Sequence, residues 1–189
     1  MNEMGAKACM IKFFVRNILA IVVSVAILTL IFTKVIANAK VVGDSMNTTL
    51  NDGDRVIALR RSNPQRGDIV LFKAPDGSGQ FYIKRVIGVP GDSIRMRNDV
   101  LYVNDQIQPE NYLGTARTDY QQQTGNHYTG DFDLFTLTKR FNVPVNQFFV
   151  MGDNRPNSTD SRVFGFVSNA AIVGVVLVRY FPLTHIQLF

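Results

Sequence analysis

The sequence predicts a mainly β protein, in which a single N-terminal transmembrane helix precedes an all-β domain of the sandwich or barrel type. Two observations predict this fold. One long apolar segment lies near the start of the chain, and after about residue 40 short runs rich in Val, Ile, Phe and Tyr alternate with turn signals such as Gly-Asp. Runs of this length are typical of hairpins, and no amphipathic helical pattern of comparable strength competes with them.

The composition is that of one folded domain. The 189 residues are 46% hydrophobic and 19% charged, with one Cys and no Trp. This balance excludes a disordered chain and a disulfide-stabilised scaffold. The net charge of +5 is unevenly distributed, because residues 1–40 carry five basic side chains and one acidic one, which leaves +1 for residues 41–189. The basic excess therefore belongs to the N-terminus, and no nucleic-acid partner is predicted.

The apolar segment at residues 18–36 is predicted to be a membrane anchor. Its only charge is Lys34, near its end. As a helix it would span roughly 28 Å at about 1.5 Å per residue, which matches the hydrocarbon core of a bilayer. The basic residues before it place the N-terminus in the cytoplasm. We therefore predict a single-pass protein of the cell membrane, with a cytoplasmic N-terminus at residues 1–17, an anchor at 18–39 and a domain on the outer face at 40–189.

A cleavable signal peptide is the alternative for this segment. The small-x-small pattern Ala37-Asn38-Ala39 fits a cleavage site after Ala39. Two features favour a retained anchor. The apolar run exceeds the roughly 7 to 15 residues usual for a signal-peptide core, and Ser45, the first candidate functional residue, follows closely. The chain from Ile36, the end of the apolar run, to Ser45 is about nine residues and reaches at most about 30 Å when extended. The expected site therefore lies near the membrane surface.

Short apolar runs are predicted as strands of the outer domain. They lie at residues 55–59, 69–72, 81–89, 93–96, 100–103, 147–151, 162–167 and 171–180. The stretch 104–146 differs from them, since it has little periodicity and a polar centre rich in Gln. We predict this stretch to be an excursion or a long hairpin from the main sheet.

Polar segments within the outer domain are candidates for chemistry. They lie at residues 43–46, 82–85 and 152–162. The first contains Ser45, and because neither His lies near these segments, a lysine is the remaining base for a serine nucleophile. Strand alternation points Lys84 and Arg85 to opposite faces, so one of them must face the core side. Burial of Lys84 would lower its pKa from about 10.4 toward about 7 to 8, making a neutral amine available as a base.

The third segment carries more charge than a turn requires. Its charged residues are predicted to form an ion-pair network that fixes the loop: Asp153, Arg155, Asp160 and Arg162. Ser158 could hold the lysine amine by a hydrogen bond. The acidic residues are matched by arginines, so no metal and no cofactor are predicted. Each segment also has an alternative without catalysis. Ser45 fits a turn residue, Lys84 a solubilising charge on an edge strand, and residues 152–162 a structured surface loop, and the residues alone do not decide between these alternatives.

These segments belong to a longer ordered set of motifs. The set comprises Ser45-Met46 followed by Thr49-Leu50, Gly53-Asp54-Arg55-Val56, Arg66-Gly67-Asp68-Ile69-Val70, Lys84-Arg85-Val86-Ile87-Gly88 with Pro90-Gly91-Asp92, and Gly152-Asp153-Asn154-Arg155 with Asn157-Ser158, Asp160-Ser161-Arg162 and Gly165. In this order, and over nearly the whole chain, the set resembles the bacterial type I signal peptidases, which are membrane-anchored serine proteases. The short outer domain is more similar to the compact Gram-positive enzymes than to the larger Gram-negative ones.

The resemblance implies roles for the candidate residues. Ser45 would be the nucleophile of a serine endopeptidase and Lys84 its general base. The residues implied as support are Ser158, which would orient the lysine, and Asp153, Asp160 and Arg162. No cofactor or metal is implied. The expected partners are exported preproteins with signal peptides and the lipid bilayer.

Two positions depart from the family pattern. Thr48 stands where proline is expected, so a φ constraint is lost just after the nucleophile and a looser presentation of Ser45 is expected. Gly43 stands where some members place a serine that helps the oxyanion hole, which leaves backbone donors such as the Ser45 N–H. Some relatives assist pilus assembly without proteolysis. A peptidase-like assembly factor that binds exported subunits is therefore the alternative function.

Overall fold

The computed structural model of the chain describes residues 3–60 and 62–189, with the side chains of residues 3–11 and 31 left outside the description. Met1 and Asn2, which belong to the predicted cytoplasmic segment 1–17, lie outside the described residues. The chain forms two compact units, Met1–Ile36 and Ala37–Phe189.

The first unit is helix α1 (Glu3–Val35). Its segment Lys12–Val35 is long and apolar enough to cross a membrane, with a mean hydropathy of 2.6. The described side chains along this segment are exposed, as expected for a surface that faces lipid. The helix ends at Val35, four residues before the predicted end of the anchor at residue 39, because residues 36–39 already belong to a strand.

Twelve strands occur in the described residues. They are β1 (Ile36–Lys40), β2 (Arg55–Arg60), β3 (Ile69–Lys73), β4 (Phe81–Gly88), β5 (Ile94–Arg97), β6 (Val100–Val103), β7 (Gln106–Ile107), β8 (Phe132–Asp133), β9 (Gln147–Met151), β10 (Val167–Ser168), β11 (Ile172–Phe181) and β12 (Gln187–Leu188). The short helices of the second unit are α2 (Ala116–Thr124), α3 (Leu134–Thr138) and α4 (Ser161–Phe164). The predicted mainly β fold is confirmed.

The strands form two antiparallel sheets. The larger sheet has the order β1-β2-β11-β3-β4-β9-β10, with β12 paired to β11, and the smaller has the order β7-β6-β5-β8. The smaller sheet begins before the predicted excursion at 104–146, since it also includes β5 and β6. That stretch also holds α2, which buries none of its residues, so it lacks the apolar stripe by which a helix is recognised in a sequence.

One predicted strand is wrong. The stretch 162–167 begins as α4 and contributes only the first residue of β10. The Asp160 side chain caps α4 by accepting a hydrogen bond from the Arg162 N–H, and Gly165 ends the helix at a φ of 80°. A strong cap at the start and a glycine at the end thus override the strand propensity of Val163 and Phe164.

The centre of the large sheet is buried on both faces. Along β3, Ile69 and Leu71 belong to one core cluster, while Val70 and Phe72 belong to another. In β4, Lys84 lies opposite Val70, and Arg85 lies opposite Ile69. The sequence predicted that one of these two side chains faces the core. Because both faces of the sheet are covered here, Lys84 and Arg85 are both buried.

Candidate active site

Ser45 lies in the turn between β1 and β2. Two bonds from Asn154 fix this turn: its N–H donates to the Ser45 carbonyl and its side-chain amide donates to the Asp44 carbonyl, each at 3.0 Å. Gly152 packs directly on the Ser45 carbonyl, where a Cβ would clash with the backbone oxygen. The turn that carries Ser45 and the loop that follows β9 are thus held together at the main-chain carbonyls of Asp44 and Ser45.

Lys84 is the direct partner of Ser45. Its side chain is 4% exposed, and its Nζ is hydrogen bonded to the Ser45 Oγ. The pKa of Lys84 is lowered from 10.5 to about 8, mainly by burial; the charge of Arg162 acts in the same direction, whereas the carboxylates of Asp160 and Asp153 partly oppose the shift. An amine with this pKa beside a hydroxyl has the chemistry of a general base and a nucleophile.

Asp153 does not pair with the arginines of its own segment. It is fully buried, and its carboxylate accepts from the Arg85 Nη2 at 2.7 Å and from the Arg85 Nε at 3.0 Å. Thr49 adds a third bond through its hydroxyl at 2.5 Å. Neither Arg85 nor Thr49 was predicted as a site residue, and the signal available for Arg85 was a second charge inside an apolar strand.

Asp160 and Arg162 form an ion pair within the third segment, where a network of four charged residues was predicted. The Arg162 Nη2 and Nε donate to the two carboxylate oxygens at 2.7 and 2.8 Å. Burial opposes ionisation of Asp160, but the bonds and charge of Arg162 outweigh it and hold the pKa of this carboxyl below its usual range. The Gly152 N–H also donates to Asp160 at 3.0 Å, so this carboxylate fixes the backbone beside Ser45.

Arg155 completes a different pair. Its guanidinium is buried and donates to Glu110, which lies between β7 and α2 in the stretch for which no site residue was predicted. The predicted network of two aspartates and two arginines therefore divides into three pairs, two of which recruit partners from distant parts of the sequence. They are Asp153 with Arg85, Asp160 with Arg162, and Arg155 with Glu110.

Ser158 is beside the site without touching the lysine. Its Oγ is buried against Gly152 and has no hydrogen-bond partner among the described residues, so the predicted bond to Lys84 is not formed in this structure. The hydroxyl lies close enough to Asp160 to help lower the pKa of that carboxyl. Its role as the residue that orients Lys84 stays a prediction.

Thr48 has an unusual backbone conformation. Its φ is 113°, a region that β-branched residues rarely adopt and that proline, with φ fixed near about −65°, cannot reach. Thr48 therefore does more than remove a constraint on φ. The turn after Ser45 has a backbone conformation that the proline expected at this position would not permit. Gly43 also has a positive φ, of 83°, and its N–H donates to Asp52 at 2.8 Å.

A cleft of about 530 Å³ opens at Ser45 and Lys84. Its walls come from β1, from the turn that follows it and from the first half of β4, with apolar side chains that include Ala37, Met46, Leu71 and Ile83. β4 pairs with β9 only from Arg85 onward, so residues 81–84 have one unpaired edge. Within residues 3–60 and 62–189, no cluster of His, Cys, Asp or Glu forms a metal-ligand set.

Comparisons with known proteins agree on one family. The family described as signal peptidase, peptidase S26, matches residues 14–181. Signal peptidase IB of Staphylococcus aureus is 36% identical over 184 residues, which cover 93% of this chain and 94% of that protein. Signal peptidase I V of Bacillus subtilis is 41% identical over 162 residues, 84% of this chain and 94% of that protein. The crystal structure of a signal peptidase I from Enterococcus faecalis superposes with a TM-score of 0.57 at 44% identity, covering 60% of this chain and 97% of that one.

Proposed function

The chain belongs to the peptidase S26 family of signal peptidases, and from that premise we propose that it is a membrane-anchored endopeptidase with Ser45 as nucleophile and neutral Lys84 as general base. The observation that carries the proposal is the buried Lys84 amine, hydrogen bonded to the Ser45 hydroxyl with its pKa lowered to about 8. Near pH 7 an exposed lysine is neutral in about one molecule in a thousand, whereas a pKa of about 8 makes the neutral base about one in ten.

The proposed reaction uses the same amine in two stages, acylation and deacylation, each with two proton transfers. As the Ser45 Oγ attacks the scissile carbonyl, the Lys84 Nζ accepts the hydroxyl proton and then gives it to the leaving amine, so an acyl-enzyme forms and the peptide bond breaks. Lys84 next takes a proton from water, whose hydroxide attacks the acyl group, and returns it to the Ser45 Oγ. With Gly43 in place of a side-chain donor, backbone N–H groups such as that of Ser45 would stabilise the oxyanion.

The supporting residues act on the backbone and on the charge of the base. Asp160, paired with Arg162, holds the Gly152 N–H and thus the loop against which Ser45 packs. Asp153 holds Arg85 and Thr49 beneath the same turn. We keep Ser158 as the residue proposed to orient Lys84, because its hydroxyl is buried against Gly152, which also packs on the Ser45 carbonyl.

The cleft favours an extended peptide with small apolar side chains. The unpaired edge of residues 81–84 offers main-chain groups to a substrate strand, and the adjacent walls are apolar. Exported preproteins present such a segment next to the apolar part of their signal peptides. An anchor at Lys12–Val35 would keep enzyme and preprotein in one bilayer, with the N-terminus cytoplasmic and the catalytic unit outside, which raises their effective concentration.

Cleavage of a purified preprotein by the full-length chain in liposomes tests this function. Ser45→Ala and Lys84→Ala are compared with wild type, and Lys73→Ala, which changes an exposed lysine on the neighbouring strand, is the matched control. We expect mature product from wild type and the control, and none from the two dyad variants. Product formed by Lys84→Ala would contradict the lysine-base mechanism. Binding of the precursor by wild type without cleavage would favour the non-catalytic assembly factor.

A further inference from the structure

A buried ion pair joins the small-sheet region to the loop of the active site. The Arg155 side chain is fully buried, and its Nη2 donates to Glu110 Oε1, whose side chain is only 1% exposed. Glu110 follows β7 and is separated from Arg155 by 45 positions in the sequence. Two charges this far from water are retained in a fold only when they neutralise each other and are well hydrogen bonded.

Arg155 connects this pair to the backbone beside the nucleophile. Its Nε donates to the Gly152 carbonyl at 3.0 Å, while the Gly152 N–H donates to Asp160 at 3.0 Å. Gly152 is therefore held from both sides at the point where it packs on the Ser45 carbonyl. One residue before Arg155, the Asn154 N–H donates to that same carbonyl at 3.0 Å.

The charge on Arg155 depends on Glu110. Burial alone would lower the pKa of Arg155, but the carboxylate of Glu110, with smaller contributions from Tyr112 and Asp153, holds that pKa above its ordinary value. Without this carboxylate the buried guanidinium would lose its ion-pair partner, since the other hydrogen-bond partners of its side chain among the described residues are neutral: the Gly152 carbonyl, the Thr129 hydroxyl and the Tyr112 hydroxyl. Such a group moves toward water, and here it would release the Gly152 carbonyl as it moved.

We propose that Glu110 is a positioning residue of the active site, which fixes Arg155 and thereby holds the Gly152–Asn154 backbone against Ser45. Tyr112, two residues after Glu110, also holds this ion pair in place. The Tyr112 hydroxyl donates to Glu110 at 2.7 Å and accepts from Arg155 at 3.0 Å. The catalytic consequence rests on the proposed function, whereas the ordering of the loop does not.

The test compares Glu110→Gln with Arg117→Gln in the full-length chain. Glutamine keeps the shape of Glu110 and removes its charge. Arg117 is the matched control, because it binds the same carboxylate at 3.0 Å from α2, with a side chain that is 31% exposed. The first measurement is hydrogen exchange of peptides that cover residues 152–155. The second is kcat and KM for preprotein cleavage, with the melting temperature measured alongside.

In Glu110→Gln we expect exchange in residues 152–155 to accelerate about tenfold or more and kcat to fall by a similar factor, with KM nearly unchanged. Arg117→Gln should stay within about twofold of wild type in both. Unchanged exchange and kcat in Glu110→Gln, or equal losses in the two variants, would overturn the proposal. A lower melting temperature with kcat per folded molecule unchanged would show a purely structural role and also overturn it.

The two measurements separate this inference from the proposed function. If wild type does not cleave the preprotein, the function fails, and hydrogen exchange alone still decides whether Glu110 orders the loop. If Glu110→Gln does not fold, Tyr112→Phe takes its place, since it removes one hydroxyl between Glu110 and Arg155 and keeps the ring. We expect a smaller acceleration of exchange in the same peptides, and none would overturn the proposal.

Discussion

Lys84 and Arg85 are adjacent on β4, point to opposite faces of the strand and are both buried, at 4% and 7% exposure. They differ in their partners. Arg85 is neutralised by two bonds to Asp153, whereas the Lys84 amine binds the neutral hydroxyl of Ser45. The unpaired lysine therefore loses its proton more readily, and the paired arginine provides a fixed charge. One strand thus brings the proposed general base and a paired, fixed charge to the same site.

The proteolytic rate should follow the deprotonation of Lys84. With the neutral amine as the proposed base and its pKa at about 8, kcat/KM should rise tenfold per pH unit below that value and level off above it. A pH profile from about pH 6 to about pH 10 measures this midpoint. A rate that is flat through pH 8, or that rises only near pH 10, would contradict a depressed pKa.

The midpoint should move in opposite directions in two charge variants. The carboxylate of Asp160 raises the pKa of Lys84, and the guanidinium of Arg162 lowers it. Asp160→Asn should therefore shift the midpoint to lower pH and Arg162→Gln to higher pH, although both should lower the plateau by loosening the loop. The pH profiles of the two variants make the comparison, and shifts of the same sign would show that these charges do not act on Lys84.

Protonated Lys84 should destabilise the folded chain at neutral pH. Its pKa is about 8 in the folded chain and 10.5 when unperturbed, so the buried ammonium disfavours folding by about 3 kcal/mol. The full penalty acts below pH 8 and disappears as the pH rises toward 10.5. Lys84→Met should abolish cleavage and raise the free energy of unfolding at pH 6, with little effect at pH 10. Denaturant unfolding at both pH values checks this, and an equal change at both would refute the linkage.

Thr48 should tolerate glycine better than proline. Its φ of 113° costs a β-branched residue of order 1 kcal/mol or more, which glycine avoids and proline cannot satisfy. Thr48→Gly should stabilise the chain by about 1 kcal/mol and keep its activity, whereas Thr48→Pro should reduce both stability and kcat. Melting temperatures and cleavage rates measure the pair. Faster cleavage by Thr48→Pro would restore the view that a useful constraint is missing.

Truncation should show that β1 belongs to the catalytic unit. Ala37 is 4% exposed and packs in the core cluster that includes Met46 and Ile83. A chain that starts at Ile36 should fold, while one that starts at Lys40 should be less stable and less active on a soluble peptide. The chain from Ile36 should still cut a membrane-inserted precursor more slowly than the full-length protein. Equal rates on that precursor would refute the benefit of a shared bilayer.

Local patterns predicted most of the large sheet and the family, but not the partners of the charged residues. Residues 147–151 and 100–103 were predicted with the bounds that the structure shows, because both are apolar runs between turn signals. Arg85 and Glu110 could not be assigned in this way. Their partners lie 68 and 45 positions away, and only tertiary packing decides which acid meets which base.

Two helices, α2 and α4, and the strained backbone of Thr48 were not predicted from the sequence. α4 has only four residues, and it forms because Asp160 caps it and is itself fixed by Gly152 and Arg162. α2 has no buried residue to produce a periodic signal. The positive φ of Thr48 is imposed by the turn around it and runs against the preference of the residue.

The half-paired strand β4 has a consequence for turnover. If a substrate strand pairs with residues 81–84 through the backbone on one side of the scissile bond, those main-chain hydrogen bonds are still present after the peptide bond is cut. The cut signal peptide would then leave as slowly as the intact precursor, and product inhibition would follow. Clearance of the spent peptide into the bilayer would then be a step of its own in repeated export, separate from the chemistry at Ser45.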